Sequence, residues 1–96
     1  MFSEKPFDIQ GLPAADIDRQ ILRTALMAEF DAISLYEQMA AKADDALLKA
    51  TLEEIARDEK VHVGQFKDLL CKLDSEQDAC MDEGAEEDDE LTAATK

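Results

Sequence analysis

The chain has 96 residues, a formal net charge of −14 and 35% charged residues, with few glycines and prolines. That length bounds it to one small domain, and the acidity argues against nucleic acid or an anionic membrane surface as a partner, since both need basic patches. Ala, Leu, Glu, Lys and Asp dominate, which is helical composition, so the expected class is all-α. No signal-peptide pattern and no bilayer-length apolar run is evident, so the expected location is the cytoplasm or a compartment within it.

Residues 1–12 read as an extended N-terminal arm, with apolar Phe2, Phe7 and Ile9 punctuated by Pro6 and Gly11. Such an arm suits contact with a neighbouring surface. Pro13 fits the first turn of a helix, and helix one is expected from Pro13 to Ala43. Within it Leu22, Leu26, Glu29, Ile33, Tyr36 and Ala40 recur in steps of four and three, the apolar seam of a packed helix. Glu29 is the one charged member of that seam. Asp44-Asp45 then supplies a turn and an N-cap.

Helix two is expected from Ala46 to Leu73. Its seam is Leu48, Leu52, Ile55, Glu59, His62, Phe66, Leu69 and Leu73, again in steps of four and three. Glu59 and His62 are its polar members, three residues apart and therefore neighbours on one face. Gly64 falls away from the seam. Cys71 and Cys80 stand nine apart with no C-x-x-C, so free thiols in a reducing cell are expected rather than a zinc knuckle. From Asp74 to Lys96 the sequence turns strongly acidic and reads as a disordered or partly helical tail.

A carboxylate buried without a partner costs several kcal/mol or loses its charge, so an acid and an imidazole together in a seam ask for a cation. Folded as an antiparallel hairpin, the chain places Glu29 and Glu59 at the same depth, each about 22 Å from the turn at 1.5 Å per residue. Di-iron carboxylate bundles take one Glu from each of two helices and a Glu-x-x-His from each of two others. This chain has half of that set, Glu29 and Glu59-x-x-His62, on half of the helices. A two-fold homodimer would complete both the bundle and the ligand set. The donors suit iron or manganese better than a thiolate-seeking metal. Glu59 is the candidate bridging ligand and Glu29 a terminal or chelating one. Tyr36 is a candidate hydrogen-bonding neighbour of the site, against the alternative of a core aromatic. Asp31 is a candidate on the path by which metal reaches it, against the alternative of a solvated face.

These residues resemble the encapsulated ferritins and, more distantly, rubrerythrin and other ferritin-like proteins. The resemblance rests on Glu29, Tyr36 and Glu59-x-x-His62, on the 30-residue separation of the two glutamates, and on a two-helix chain with an acidic tail. It implies a half-ferritin fold and a ferroxidase centre assembled between two chains, which oxidises Fe(II) to Fe(III) with O2. It also implies a ring of dimers and delivery of iron into an encapsulin compartment to which a C-terminal peptide directs the protein. Leu91-Thr92-Ala93 bears a faint likeness to such a peptide. The chain departs from the family at Leu35, beside Tyr36 where some members have Trp, and at Ala28, where some carry a carboxylate or amide near the metal path. Two other readings stand beside this one. One is a rubrerythrin-like peroxide reductase, although its usual paired C-x-x-C electron-donor motifs are missing from this sequence. The other is a non-catalytic helical dimerisation or metal-binding module in which the polar seam residues set register.

Overall fold

The computed structural model describes residues 11–95. The N-terminal arm lies outside them up to residue 10, as does Lys96. All regular structure among the described residues is helical. The order is α1 (Ala14–Lys42), α2 (Ala46–Leu73) and α3 (Ser75–Thr95). Gly11 has φ of +80°, a left-handed conformation that suits glycine, and Pro13 then occupies the N-cap position of α1.

The hairpin forms because its tip is chemically marked. Ala43 leaves the helical region with ψ of 133°, and Asp45 restarts the chain by accepting a hydrogen bond from the Leu48 amide at 2.8 Å. That carboxylate satisfies one of the otherwise orphaned donors of the first turn of α2. α1 and α2 then pack antiparallel along their length.

The core between them is thin. Leu22, Ile33 and Ala40 of α1 and Ala56 and Leu70 of α2 are the buried apolar residues. The spacing of Ala56 and Leu70 shifts the buried stripe of α2 by one residue from the seam expected from sequence. Leu48, Leu69 and Leu73 of that seam are instead about half exposed, Leu73 at 55%. The apolar arc of α2 is broad: one edge meets α1, and the other, at Leu48, Ile55, His62 and Leu69, lies along an open side of the hairpin. At the tip, Leu35 and Met39 of α1 join Leu48 and Leu52 in lining a groove of about 460 Å³ on that side. A hairpin of this size leaves too much apolar surface in water to be robust alone.

The acidic segment is more ordered than its composition suggests. A single non-helical residue, Asp74, separates α2 from a helix that continues to Thr95. Asp74 is buried. One carboxylate oxygen accepts from the Gln77 amide at 3.0 Å, and the other accepts from Arg23 Nη2 of α1 at 2.8 Å. Asp74 therefore caps α3 and ties its start to the hairpin. Glu76 and Asp78 occupy the first turn, where negative charge meets the positive end of the helix dipole. Beyond those turns α3 runs out from the hairpin, and none of its residues is buried.

Candidate metal centre

Glu29 comes from the middle of α1, and Glu59 and His62 come from successive turns of α2. The seam spacing turns each side chain toward the other helix, and equal distance from the tip brings them to one level. Ligand-type atoms of all three lie within 4.8 Å of one another. His62 Nδ1 is 3.5 Å from Glu29 Oε2 and 3.5 Å from Glu59 Oε2. The two carboxylates are mostly covered, with side-chain exposures of 17% and 20%, whereas the imidazole is 45% exposed. The cluster therefore opens on the His62 side, which is the apolar open side of the hairpin.

The cluster is poorly satisfied by protein alone. Among the described residues, Glu29 Oε2 is buried and has no hydrogen-bond partner; the 3.5 Å approach of His62 is too long for a good hydrogen bond. A buried carboxylate oxygen in that state costs free energy that a cation would recover. Two carboxylates and one imidazole are hard and borderline donors suited to iron, manganese or zinc. Residue type, convergence and the orphaned oxygen all fit a divalent cation, iron among them, held by Glu29, Glu59 and His62.

The remaining candidates sit around this centre. Tyr36 is half-buried on α1, about two turns beyond Glu29. Asp31 lines a shallow recess with Ser34, Leu35 and Gln38, away from the three converging side chains. Lys60, next to Glu59 in sequence, points to the opposite side of the hairpin and pairs with Glu37 at 3.2 Å. Cys71 and Cys80 are free thiols, the first partly covered and the second exposed. Sequence reasoning had no signal for the Arg23–Asp74 pair, because those residues are 51 positions apart and neither stands in a recognisable motif. No helix among the described residues is long and apolar enough to cross a membrane.

Known proteins share this arrangement of helices. The sequence model of the Rubrerythrin family matches residues 20–95. A ferritin-like-encapsulin shell fusion protein of Pyrococcus furiosus is 51% identical over 73 residues, which cover 76% of this chain and 21% of that protein. An encapsulin nanocompartment cargo protein of Myxococcus xanthus is 35% identical over 65 residues, covering 68% of this chain and 50% of that one. The chain thus spans about a fifth and a half of these two relatives. The crystal structure of an encapsulated ferritin domain from Pyrococcus furiosus superposes with a TM-score of 0.81 at 40% identity, over 97% of this chain and 95% of that one. Its match over nearly the whole chain extends through α3, the segment whose acidic composition gave the weakest structural signal. The fold is ferritin-like, and the chain belongs to the rubrerythrin family.

Proposed function

We propose that this protein is a ferroxidase, oxidising Fe(II) to Fe(III) with O2 at a di-iron centre shared between two protomers. The observation that carries the reading is the convergence of Glu29, Glu59 and His62 within 4.8 Å at the edge of an uncovered apolar face. Three protein donors leave an iron ion short of its preferred coordination number. A second copy related by a two-fold axis would bring the same three donors to the same level and bury the exposed side of His62. It would also cover Leu48, Leu69 and the groove at the tip, completing a four-helix bundle.

In this reading each side chain has a distinct task. Glu59, within 3.5 Å of His62, would be the ligand shared between the irons. Glu29 would chelate, with an oxygen that already lacks a partner. His62 would supply a nitrogen donor from the solvent side. Bound iron would supply the redox chemistry, with one electron from each Fe(II) passing to O2. The four carboxylates of the pair of chains favour the ferric product over the ferrous substrate, because added positive charge gains more from anionic surroundings. Tyr36, about two turns from Glu29, would be a hydrogen-bonding neighbour of the loaded site, and Asp31, in a separate recess on α1, would serve only an outer path for incoming cations.

The encapsulin association of the Pyrococcus and Myxococcus relatives supports a cargo role within an encapsulin compartment. The 64% exposure of Leu91 near the end of α3 supports this segment as the one that would contact a shell. Rings of dimers would be the unit enclosed. The membership in the Rubrerythrin family supports a second reading, in which peroxide is the oxidant at the same centre.

Anaerobic addition of Fe(II) to metal-free protein, with assembly followed by light scattering and oxidation then started with O2, tests the proposal. Saturation near one iron per chain, association on binding and oxidation faster than the protein-free control are expected. Glu59→Ala and His62→Ala should lose binding and oxidation while keeping their helicity. Undiminished iron oxidation in both variants would refute the centre, and a much faster reaction with hydrogen peroxide than with O2 would select the second reading.

A further inference from the structure

The hairpin has a second face, turned away from the metal centre, and it carries an uncovered aromatic side chain. Phe30 stands seven residues from both Arg23 and Glu37, two turns in either direction, and so shares their side of α1. Arg23 pairs with Asp74 and Glu37 pairs with Lys60. Phe30 lies between the two pairs and is 56% exposed, with Met27, one turn away, at 40%. Val61, next to Lys60 on α2, is 55% exposed. Single exposed apolar residues are ordinary. Here three large ones stand at one level of the hairpin, and burying them would be favourable.

Gly64 borders the same patch. It lies two residues past His62, level with Met27, which lies two residues before Glu29. A glycine inside a helix costs about 1 kcal/mol relative to alanine. Nothing lies within 4 Å of the place its Cβ would take, so the chain's own packing does not call for glycine there. It leaves bare backbone that a neighbouring molecule can approach closely.

The charges on the two sides of Phe30 differ in sign. Toward the hairpin tip, Lys49 and Arg57 are exposed, pair with no carboxylate among the described residues, and outnumber Glu53 between them. Away from the tip, α3 crosses α2 and brings Asp78 and Asp82 beside Gly64 and Lys67. Both aspartates are exposed and pair with no cation among the described residues. Arg57 and Gly64 lie about 5 Å to either side of the level of Phe30 at 1.5 Å per residue. The face is therefore cationic, apolar and anionic in turn, with its apolar part in the middle.

We propose that this face is a second self-association surface, on which another copy of the chain packs about a two-fold axis beside Phe30. With the two hairpins antiparallel across the axis, Phe30 and Met27 of each copy cover those of the other. Arg57 of each copy then meets the Asp82 end of the other, so the face is complementary to itself. The contact rests on the proposed metal-joined dimer. Phe30 and Met27 offer far less than the roughly 1,600 Å² of a standard interface, too little to hold two free chains. A chain with one two-fold face stops at the dimer. A dimer joined through metal presents two copies of the second face, and linked contacts reinforce one another. Iron loading then carries assembly beyond the dimer through residues that bind no metal.

The test uses full-length protein loaded anaerobically with Fe(II) and examined by sedimentation velocity over a range of protein concentrations. Iron per chain and helicity are measured on each sample. The wild type should form species larger than the dimer. Phe30→Ser should stop at the dimer with wild-type iron content and helicity. Arg57→Glu and Asp82→Lys should each weaken the step beyond the dimer by about tenfold, since each reverses two exposed pairs per interface. The two changes in one chain should restore it. Assembly of Phe30→Ser beyond the dimer at wild-type strength would overturn the proposal, as would a double variant no better than either single one. A loaded wild type that stops at the dimer would overturn it while leaving the shared centre intact. A wild type that stays monomeric with iron would remove the shared centre, and this contact with it.

Discussion

Glu29→Leu separates what the centre costs from what it does. The carboxylate is 17% exposed, and its Oε2 has no hydrogen-bond partner. An unsatisfied buried acceptor costs about 1–3 kcal/mol, and the residual exposure brings the figure for Glu29 toward the lower half of that range. Leucine has similar bulk and continues the apolar seam of Leu22, Leu26 and Ile33. The metal-free variant should therefore be more stable than the wild type by about 1–2 kcal/mol. With a urea dependence of about 1–3 kcal/mol per molar for a small protein, the unfolding midpoint should rise by several tenths of a molar to about 1 M. Metal reverses the order. A ligand at 100 times its dissociation constant stabilises the native state by about 2.7 kcal/mol, a gain that the wild type has and the variant lacks. The assay is urea unfolding followed by circular dichroism at one fixed protein concentration, with chelator and with anaerobic Fe(II). A metal-free variant less stable than the wild type would refute the reasoning. It would mean that the 3.5 Å contact with His62 makes Glu29 a structural partner, and that its burial has been over-charged.

Asp74→Ala should loosen α3 without unfolding the hairpin, because it deletes both the Gln77 cap and the Arg23 pair. A loss of about 1–2 kcal/mol, in the range for a lost N-cap, should appear as faster amide exchange in residues 75–82 than in α1 or α2. Leu69→Gln with Leu73→Gln changes only half-exposed positions, so sedimentation should show weakened association while helicity is retained. Lys60→Ala removes a pair whose members are both more than half exposed, and a stability change above about 0.5 kcal/mol would contradict the low worth of such surface pairs.

Much of the hairpin and the centre was legible because local rules and global geometry agree. Asp45 is a good N-cap by residue type and acts as one. Glu29, Glu59 and His62 each stand in an apolar rhythm, and equidistance from the turn brings them together. What spacing could not apportion was the wide apolar arc of α2. Leu69 and Leu70 are adjacent in sequence and both leucine, yet Leu70 is 2% exposed and Leu69 is 47% exposed. Which of them meets α1 depends on the facing side chains, and a heptad pattern does not contain that information. Between disorder and partial helix, the two states open to the tail from its sequence, the structure has a helix from Ser75 to Thr95. Its charge density argues for disorder, but its helix is started by the buried Asp74 and held by Arg23 from a distant part of the chain. Those contacts exist only after the hairpin has formed.

The half-exposed apolar edge at Leu48 and Leu69 and the exposed His62 of the candidate centre lie on the same side of the hairpin, which couples association to metal in the proposed dimer. Bringing two chains together without metal would gather two copies of Glu29 and of Glu59 around one axis. Two like charges 5 Å apart repel by about 3 kcal/mol at an effective dielectric of about 20, and several such pairs oppose the gain from burying Leu48, Leu69 and their neighbours. Cations remove the repulsion and leave the apolar gain. The wild type should therefore associate as metal is added, while Glu29→Leu, which has fewer repelling charges and more apolar surface on the same face, should associate without metal. Sedimentation of the two proteins in chelator distinguishes this coupling from simple hydrophobic pairing, in which the metal-free wild type would already be dimeric. Association of that kind in the wild type would show that the acidic centre offers no barrier to assembly.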